Sequence, residues 1–527
     1  MRKLLVYYAI LLGVASFLPA VEKPNIILVF TDDHGYADLG CQGSVDDVRT
    51  PHIDALAETG VRMTDGYVTA PQCVPSRGGI LTGQYQNRFG LESNPEFQDP
   101  GVMARFDQVE TIAERLKNAG YATGMAGKWH LGPGNEISQH GFDHVFHKNS
   151  NAPGQANIDL EGKDVRFGIE KSGLYHIDAC SEVAASFVSR YREQPFFFYL
   201  AYRAPHVPLD APKKYLDRFP GEMPQRRRQA LAMLSAVDDG VGKIVETLNK
   251  NNLEKKTLIW VIGDNGAPLK IHKVDAPGGG PGWDGSVNTP LNGEKGMLTE
   301  GGVRVPFVVN WKGTIPGGQV YSEPVISLDV AATAQALAGL PEDPQLDGVN
   351  LIPFLTKEKS GAPHDVLYWR WLGQSAIREG NWKYIRSDHR EYLFDMETDA
   401  EEKNDVLASH PEIGTKLKQR LSTWAGELSP PGIWALKSAG TSRNAANYFD
   451  WYIEGKRELQ PPVSKATRKP SGPTDATIFQ QRNKDNNDEV TWEEFLAGRT
   501  EKVEIIRANF DRRDLNGNGL WERDEIK

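Results

Sequence analysis

Four short segments place ionisable side chains directly after apolar runs. Asn25–Phe30 leads into Thr31-Asp32-Asp33-His34-Gly35, and Thr257–Gly263 leads into Asp264-Asn265-Gly266. Tyr121–Ala126 is followed by Lys128-Trp129-His130, and Pro195–Ala201 by His206. Apolar runs of this length read as strands buried on both faces. In an open α/β sheet, ligands bind outside the carboxyl ends of such strands, so residues about 230 positions apart can converge there. Asp32, Asp33, Asp264 and Asn265 offer only oxygen ligands, which suits a hard cation, Ca²⁺ or Mg²⁺, rather than zinc. Without a cation, the mutual repulsion of three carboxylates is expected to raise their pKa values and distort the loops. Each residue alone has a bland reading. Paired Asp after a strand can cap a helix, Asp-Asn-Gly makes turns, and a lone His is commonly structural. Repetition at four strand ends favours a site.

Helical patterns lie between these runs, at His52–Gly60, Gln108–Ala119, Asp178–Arg192 and Arg226–Lys250. Such alternation predicts βαβ units and a layered α/β domain, with Pro306–Trp311 as a fifth parallel strand. From Asp365 the texture changes to short strands and turns, and a stretch rich in Pro, Ser, Lys and Thr follows Leu459. The expected organisation is a leader at 1–20, a catalytic domain at 21–364, a smaller sheet-containing subdomain at 365–458, a linker at 459–476 and an acidic tail at 477–527. The chain has 527 residues with a net charge of −10, which argues against nucleic acid or an anionic membrane as the main partner. There is no G-x-S-x-G elbow, H-E-x-x-H helix, P-loop or G-x-G-x-x-G after a strand.

Residues 73–83 read Cys-Val-Pro-Ser-Arg-Gly-Gly-Ile-Leu-Thr-Gly. This segment resembles the C-x-P-S-R-x-x-x-L-T-G signature of type I sulfatases, in the alkaline-phosphatase superfamily. Lys128-Trp129-His130-Leu131-Gly132, Ala204-Pro205-His206, Gly263-Asp264-Asn265-Gly266 and Lys295-Gly296 through Glu300-Gly-Gly-Val-Arg-Val-Pro306 resemble further blocks of that family. The resemblance spans about residues 22–430. It implies an alkaline-phosphatase-like fold with a large mixed, mainly parallel sheet and a smaller α+β subdomain carrying a short antiparallel sheet.

It also implies a chemistry. Cys73 would be oxidised to formylglycine (3-oxoalanine) by a formylglycine-generating or anaerobic sulfatase-maturating enzyme, with Ser76 directing that modification. The aldehyde hydrate would attack sulfur and then expel sulfate as it collapses. Asp32, Asp33, Asp264, Asn265 and modified Cys73 would hold Ca²⁺. Arg77 would fix the formylglycine, and Lys128 and Lys295 would neutralise the sulfate oxygens. His130 would deprotonate the second hydroxyl, and His206, helped by Lys295, would protonate the leaving oxygen. Asp264 is a candidate base for the first hydroxyl. The expected substrate is a sulfated polysaccharide, oligosaccharide or aryl sulfate. The alternatives are a phosphonate monoester or phosphodiester hydrolase, and a catalytically silent glycan-binding homologue.

Two peripheral features complete the reading. Arg2 and Lys3 precede an apolar run from Leu4 to Leu18, then Pro19 and Ala20, the layout of a secretory signal and too short to span a bilayer. A secreted or periplasmic protein without a membrane span is expected, and the three cysteines are too few for a disulfide framework. Near the C-terminus, two segments follow EF-hand spacing. The first would place Asn483, Asp485, Asn487, Glu489, Thr491 and Glu494 on Ca²⁺. The second would place Asp514, Asn516, Asn518, Leu520, Glu522 and Glu525, with Gly519 at the sharp turn.

Overall fold

The computed structural model describes residues 23–94, 101–269, 284–387, 389–431, 448–456, 489–491 and 520–522. The leader, the linker and most of the EF-hand-like ligand positions lie outside the described residues. In chain order the strands of the main sheet are β1 (Asn25–Asp32), β2 (Val61–Met63), β3 (Gly66–Tyr67), β4 (Ala122–Gly127), β5 (His144–His147), β6 (Gln155–Ile158), β7 (Asp164–Ile169), β8 (Phe196–Pro205), β9 (Thr257–Gly263), β10 (Phe307–Asn310) and β11 (Gln319–Tyr321), with β3 set apart. Ten of them form one sheet in the order β11-β2-β10-β9-β1-β8-β4-β5-β6-β7.

Every residue of β1 is buried, because the strand sits at the middle of this sheet. It pairs in parallel with β8 on one side and β9 on the other. Alternation along it feeds two cores. Ile26, Leu28 and Phe30 join Tyr199, Trp260 and the helix Cys73–Thr82 on one face. Ile27 and Val29 join Leu200, Val261 and the helices Pro51–Glu58, His176–Arg190 and Gln225–Lys250 on the other. The result is three layers, helix–sheet–helix.

One strand runs against expectation. Pro306–Trp311 forms β10, but antiparallel to β9, with Phe307 opposite Ile262. A parallel partner needs a crossover back to the starting edge. Here Gly263 N donates to the Pro306 carbonyl, so the segment entering β10 already lies at the carboxyl end of β9. The strand can only run back.

A two-stranded ladder pairs β3 with β12 (Val325–Ile326). The C-terminal subdomain is a meander of β13 (Val366–Trp371), β14 (Gln374–Glu379), β15 (Trp382–Ser387) and β16 (Arg390–Asp395). It packs with the helix Pro411–Gly426 around Trp369, Ile377, Tyr384 and Leu421. Beneath it lies a buried charge network. Lys383 Nζ reaches Glu300 Oε1 at 2.7 Å and Glu402 Oε1 at 2.8 Å, and Arg304 Nη1 reaches Glu300 Oε2 at 3.1 Å. Buried charges are tolerated when paired in this way, so the network ties the subdomain to the segment that follows Lys295.

Residues 1–460 form one compact unit and residues 461–527 a second. Within the second, β17 (Glu489–Thr491) and β18 (Leu520–Glu522) pair antiparallel, with Val490 opposite Trp521. Among the described residues, no helix is long and apolar enough to cross a membrane.

Candidate active site

The four strand ends named from sequence do converge. Asp32 closes β1, Lys128 follows β4, His206 follows β8, and Asp264 follows β9, with Lys295 and Cys73 arriving from elsewhere. Lys128 Nζ lies 2.6 Å from Asp32 Oδ2, Lys295 Nζ 2.5 Å from Asp33 Oδ1, and Arg77 Nη2 2.8 Å from Asp264 Oδ2. Cys73 opens its helix, with Sγ 3.2 Å from Asp32 Oδ1 and 3.3 Å from Lys295 Nζ. Asn265 Nδ2 donates to Asp33 Oδ1 at 2.7 Å, and Asp33 N donates to Asp264 Oδ1 at 3.0 Å. His206 Nε2 stands 3.5 Å from Asp33 Oδ2 while its Nδ1 contacts the Val207 carbonyl at 2.6 Å, an arrangement that leaves Nε2 facing the cluster.

The backbone is bent to achieve this. Asp33 and His130 sit in the left-handed region at φ 58° and 65°. For residues other than glycine that conformation costs about 1–2 kcal/mol and marks sites where the surroundings dictate geometry. Gly127, the last residue of β4, has φ 104°, and a Cβ there would lie 2.0 Å from the Ala201 carbonyl oxygen. Only glycine lets Lys128 leave the sheet so close to β8.

The carboxylates do not all behave as sequence reasoning expects. Burial pushes Asp264 up, with Asp32 adding to it, to about 7. Burial also acts on Asp32 and Asp33, but Lys128 overcomes it at the first and Lys295 at the second. Asp32 falls well below the usual carboxylate range and Asp33 falls to about 2. The general rise expected from three clustered carboxylates therefore appears only at Asp264, because two lysines already neutralise the other pair. Burial lowers His130 to about 2, reinforced by Lys128 and Arg77, and lowers His206 to about 4. Burial and the Asp32 carboxylate push the Cys73 thiol far above the ordinary range. An unmodified thiol there stays protonated and is a poor nucleophile.

The donor set fits a hard divalent cation. Asp32, Asp33, Cys73 and His206 each turn one ligand atom into a common volume, all within 4.8 Å of one another. Asp33 Oδ2 and Asn265 Oδ1 are buried oxygens with no hydrogen-bond partner among the described residues. Buried oxygens left without a partner beside paired carboxylates are groups that a hard divalent cation such as Ca²⁺ or Mg²⁺ would satisfy. Ser76 Oγ, buried in the same helix, likewise makes no hydrogen bond among the described residues.

One contributor escapes sequence reasoning. Tyr199 OH accepts from Arg77 Nη1 at 3.1 Å, and the guanidinium carbon lies 5.3 Å from the Phe30 ring centre. Both residues sit inside apolar runs. A hydroxyl on the same face as Phe197 and Ala201 was the available signal.

This constellation at the carboxyl edge of a mixed, mainly parallel sheet defines an alkaline-phosphatase-like hydrolase site. The chain belongs to the sulfatase family: the family model described as Sulfatase matches residues 24–340, and the one described as N-sulphoglucosamine sulphohydrolase, C-terminal, matches residues 293–426. It is therefore a sulfuric ester hydrolase. Among relatives, the N-acetylgalactosamine-6-sulfatase of Canis lupus familiaris is 32% identical over 410 residues, covering 72% of this chain and 74% of its own. The N-acetylgalactosamine-6-O-sulfatase of Bacteroides thetaiotaomicron is 28% identical over 499 residues, covering 76% and 93%. The solved structure of Ps i-CgsB superposes with a TM-score of 0.68 at 32% identity, covering 81% of this chain and 99% of that one. The same protein has been solved in complex with k-i-k-neocarrahexaose.

A divalent cation held at Asp264 would compete with that group's proton, so the core's affinity for such a cation should tighten as pH rises through about 7 and weaken below it. Asp33→Ala should weaken it by ~10²-fold at any pH. Calorimetric titration of protein lacking residues 461–527 checks both, and an affinity flat across that pH range would remove Asp264 from the site.

Proposed function

We propose that the protein is an exported, calcium-dependent sulfatase that removes sulfate from a sulfated polysaccharide or oligosaccharide, with Cys73 oxidised to formylglycine as its nucleophile. The observation that carries this reading is the placement of Cys73 Sγ between Asp32 and Lys295, in surroundings that disable a thiolate. The glycan substrate is supported by the relatives, among them N-acetylgalactosamine-6-sulfatases and a structure holding a neocarrahexaose.

Asp32, Asp33, Asp264, Asn265 and modified Cys73 would hold Ca²⁺, whose charge favours ionisation of a neighbouring hydroxyl. Lys128 and Lys295 receive the sulfate oxygens, and Arg77 fixes the formylglycine. One hydroxyl of the aldehyde hydrate would give its proton to Asp264 and attack sulfur, and the bond from sulfur to the ester oxygen would break with its electron pair on that oxygen. His206 Nε2, beside Lys295, delivers the proton that makes the leaving alcohol. Burial lowers His206 to about 4 in the free protein, and the negative charge of a bound ester acts in the opposite direction, favouring its protonated form. His130, held neutral by burial and two cations, takes the proton of the second hydroxyl. The Cβ–O bond to sulfate then breaks and the aldehyde returns. Intact Cys73, Lys128, His130, His206 and Lys295 speak against a silent homologue. Parallel assays on aryl sulfate and aryl phosphonate separate sulfatase from phosphonate hydrolase activity.

The tail is proposed to bind two Ca²⁺. Glu489–Thr491 and Leu520–Glu522 are positions 7 to 9 of the two EF-hand-like loops, and their mutual pairing supports a joined pair.

Mass analysis of the exported protein should find a chain beginning near Val21 and an aldehyde at position 73. Cys73→Ala should abolish turnover with the fold kept, and Cys73→Ser should stall as a stable sulfate ester, lacking the second hydroxyl. Wild-type turnover by the alanine variant would end the nucleophile assignment.

For His206→Ala, loss should follow leaving-group basicity. A nitrophenyl sulfate needs little protonation and should lose ~10-fold or less, whereas a sugar sulfate should lose ~10²–10⁴-fold. In the wild type, kcat on the sugar sulfate should fall at high pH as His206 loses its proton, and kcat on the aryl sulfate should not. Equal defects on both substrates would move His206 from proton donor to sulfate binding.

Removing residues 461–527 should reduce bound calcium by two ions per chain and leave turnover unchanged, read by metal analysis and assay. Unchanged calcium content would end the tail proposal.

A further inference from the structure

The turn between β13 and β14 reaches the two segments that carry Cys73 and Lys295. Gln374, at the start of β14, is 2% exposed. Its Nε2 donates to the Gly296 carbonyl at 2.9 Å, and its Oε1 accepts from Leu298 N at 3.1 Å. A backbone donor and a backbone acceptor fix the amide in one orientation. Gly296 N in turn donates to the Pro71 carbonyl at 3.0 Å. Trp371, at the end of β13, donates from Nε1 to Gln72 Oε1 at 3.3 Å, and Gln72 is the residue immediately before the Cys73 helix. Three strips of chain, 71–73, 295–298 and 371–374, are thus laced together beside the reacting centre.

We infer that Gln374 is a positioning residue for Lys295. The inference rests on the proposed role of Lys295 at the sulfate and the leaving oxygen. A lysine side chain is a long, rotatable stem with a compact charge at its tip, so its ammonium goes where its backbone is anchored. The Lys295 backbone is anchored on one side by its N–H to the Ala267 carbonyl at 3.1 Å. On the other side the next residue is Gly296, at φ 90°, with no side chain to hold it. Gln374 adds a side-chain hold to the Pro71 contact, gripping the chain at the Gly296 carbonyl and again at Leu298 N. That sets the Lys295 ammonium 3.3 Å from Cys73 Sγ.

Docking of the C-terminal sheet does not depend on this amide. Trp369 Nε1 donates to the Val68 carbonyl at 2.8 Å, Asn87 Nδ2 to the Arg370 carbonyl at 2.8 Å, and Arg370 Nε to Glu92 Oε1 at 2.7 Å. Loss of Gln374 should therefore shift the Lys295 segment and leave the sheet in place.

The test is a double-mutant cycle in the full-length protein. Gln374→Met removes both hydrogen bonds at nearly constant volume, and Gln374→Glu keeps the acceptor for Leu298 while losing the donor to Gly296. Each should cut kcat on a sugar sulfate by ~10–10²-fold, the scale of an ångström misplacement, with thermal midpoint and KM little changed. In a Lys295→Ala background the same change should cost no more than about twofold, because the two act as one unit. A full multiplicative loss in that background would overturn the inference. A crystal structure of the Gln374→Glu or Gln374→Met protein gives the second readout. Displacement of the Lys295 ammonium from Cys73 and Asp33 supports the positioning role, and an unmoved ammonium overturns it. A wild type without sulfate-ester hydrolysis would defeat the functional reading alone, since the crystallographic comparison would still decide the position of Lys295.

Discussion

Taking a carboxylate out of water costs several kcal/mol unless an opposite charge meets it at close range, and this protein takes three of them to one place. Asp32, Asp33 and Asp264 are fully buried, and each is met by a different cation, Lys128, Lys295 and Arg77. Every pair joins two distant segments of chain. The pairs are satisfied only when β1, β4 and β9 end at matching heights, with the Cys73–Thr82 helix and the Lys295 segment brought over them. The left-handed residues Asp33 and His130 follow from the same demand. They turn side chains inward at points where an extended chain would carry them past the cluster.

The balance of three cations against three carboxylates also accounts for the uneven proton affinities. Lys128 and Lys295 hold two carboxylates ionised. Arg77 divides its donors among Asp264, Tyr199 and the Lys128 carbonyl. Asp264 is left the most easily protonated of the three. A divalent cation entering this cluster would meet carboxylates that already have cationic partners and would have to share them, releasing part of each lysine's charge for an incoming anion. That exchange of partners is a physical reason for a site rich in both signs of charge.

Much of the architecture was legible in the residues. The apolar runs gave the central strands within a residue or two, except that β8 runs four residues past Ala201, and the polar residues after them gave the edge where the site lies, because strand ends in a layered α/β sheet are a small set of places. What stayed hidden needed the third dimension. The direction of β10 depends on where the chain stands when it enters that strand, and no periodicity records this. Tyr199 reads as one more apolar residue of β8 until Arg77 is found beside it. Gln374 lies in a stretch with no catalytic flavour, and its partners are backbone atoms, which leave no mark on sequence. The depressed carboxylate values at Asp32 and Asp33 required knowing which lysine faces which acid.

The burial of Cys73 has a consequence for the order of events in the life of the chain. Cys73 is 1% exposed and all ten residues of its helix are buried, so no modifying enzyme can reach the thiol once the layers have closed. Yet the layers cannot close early. Lys295, which packs on that sulfur, lies 222 residues further along the chain, and β1 must wait for both β8 and β9 before its two faces are covered. On the proposed chemistry, the oxidation of Cys73 therefore has a deadline. It belongs to the interval in which the N-terminal third of the polypeptide has emerged and its partner strands have not, and a chain that folds before it is modified is shut out of activity for good.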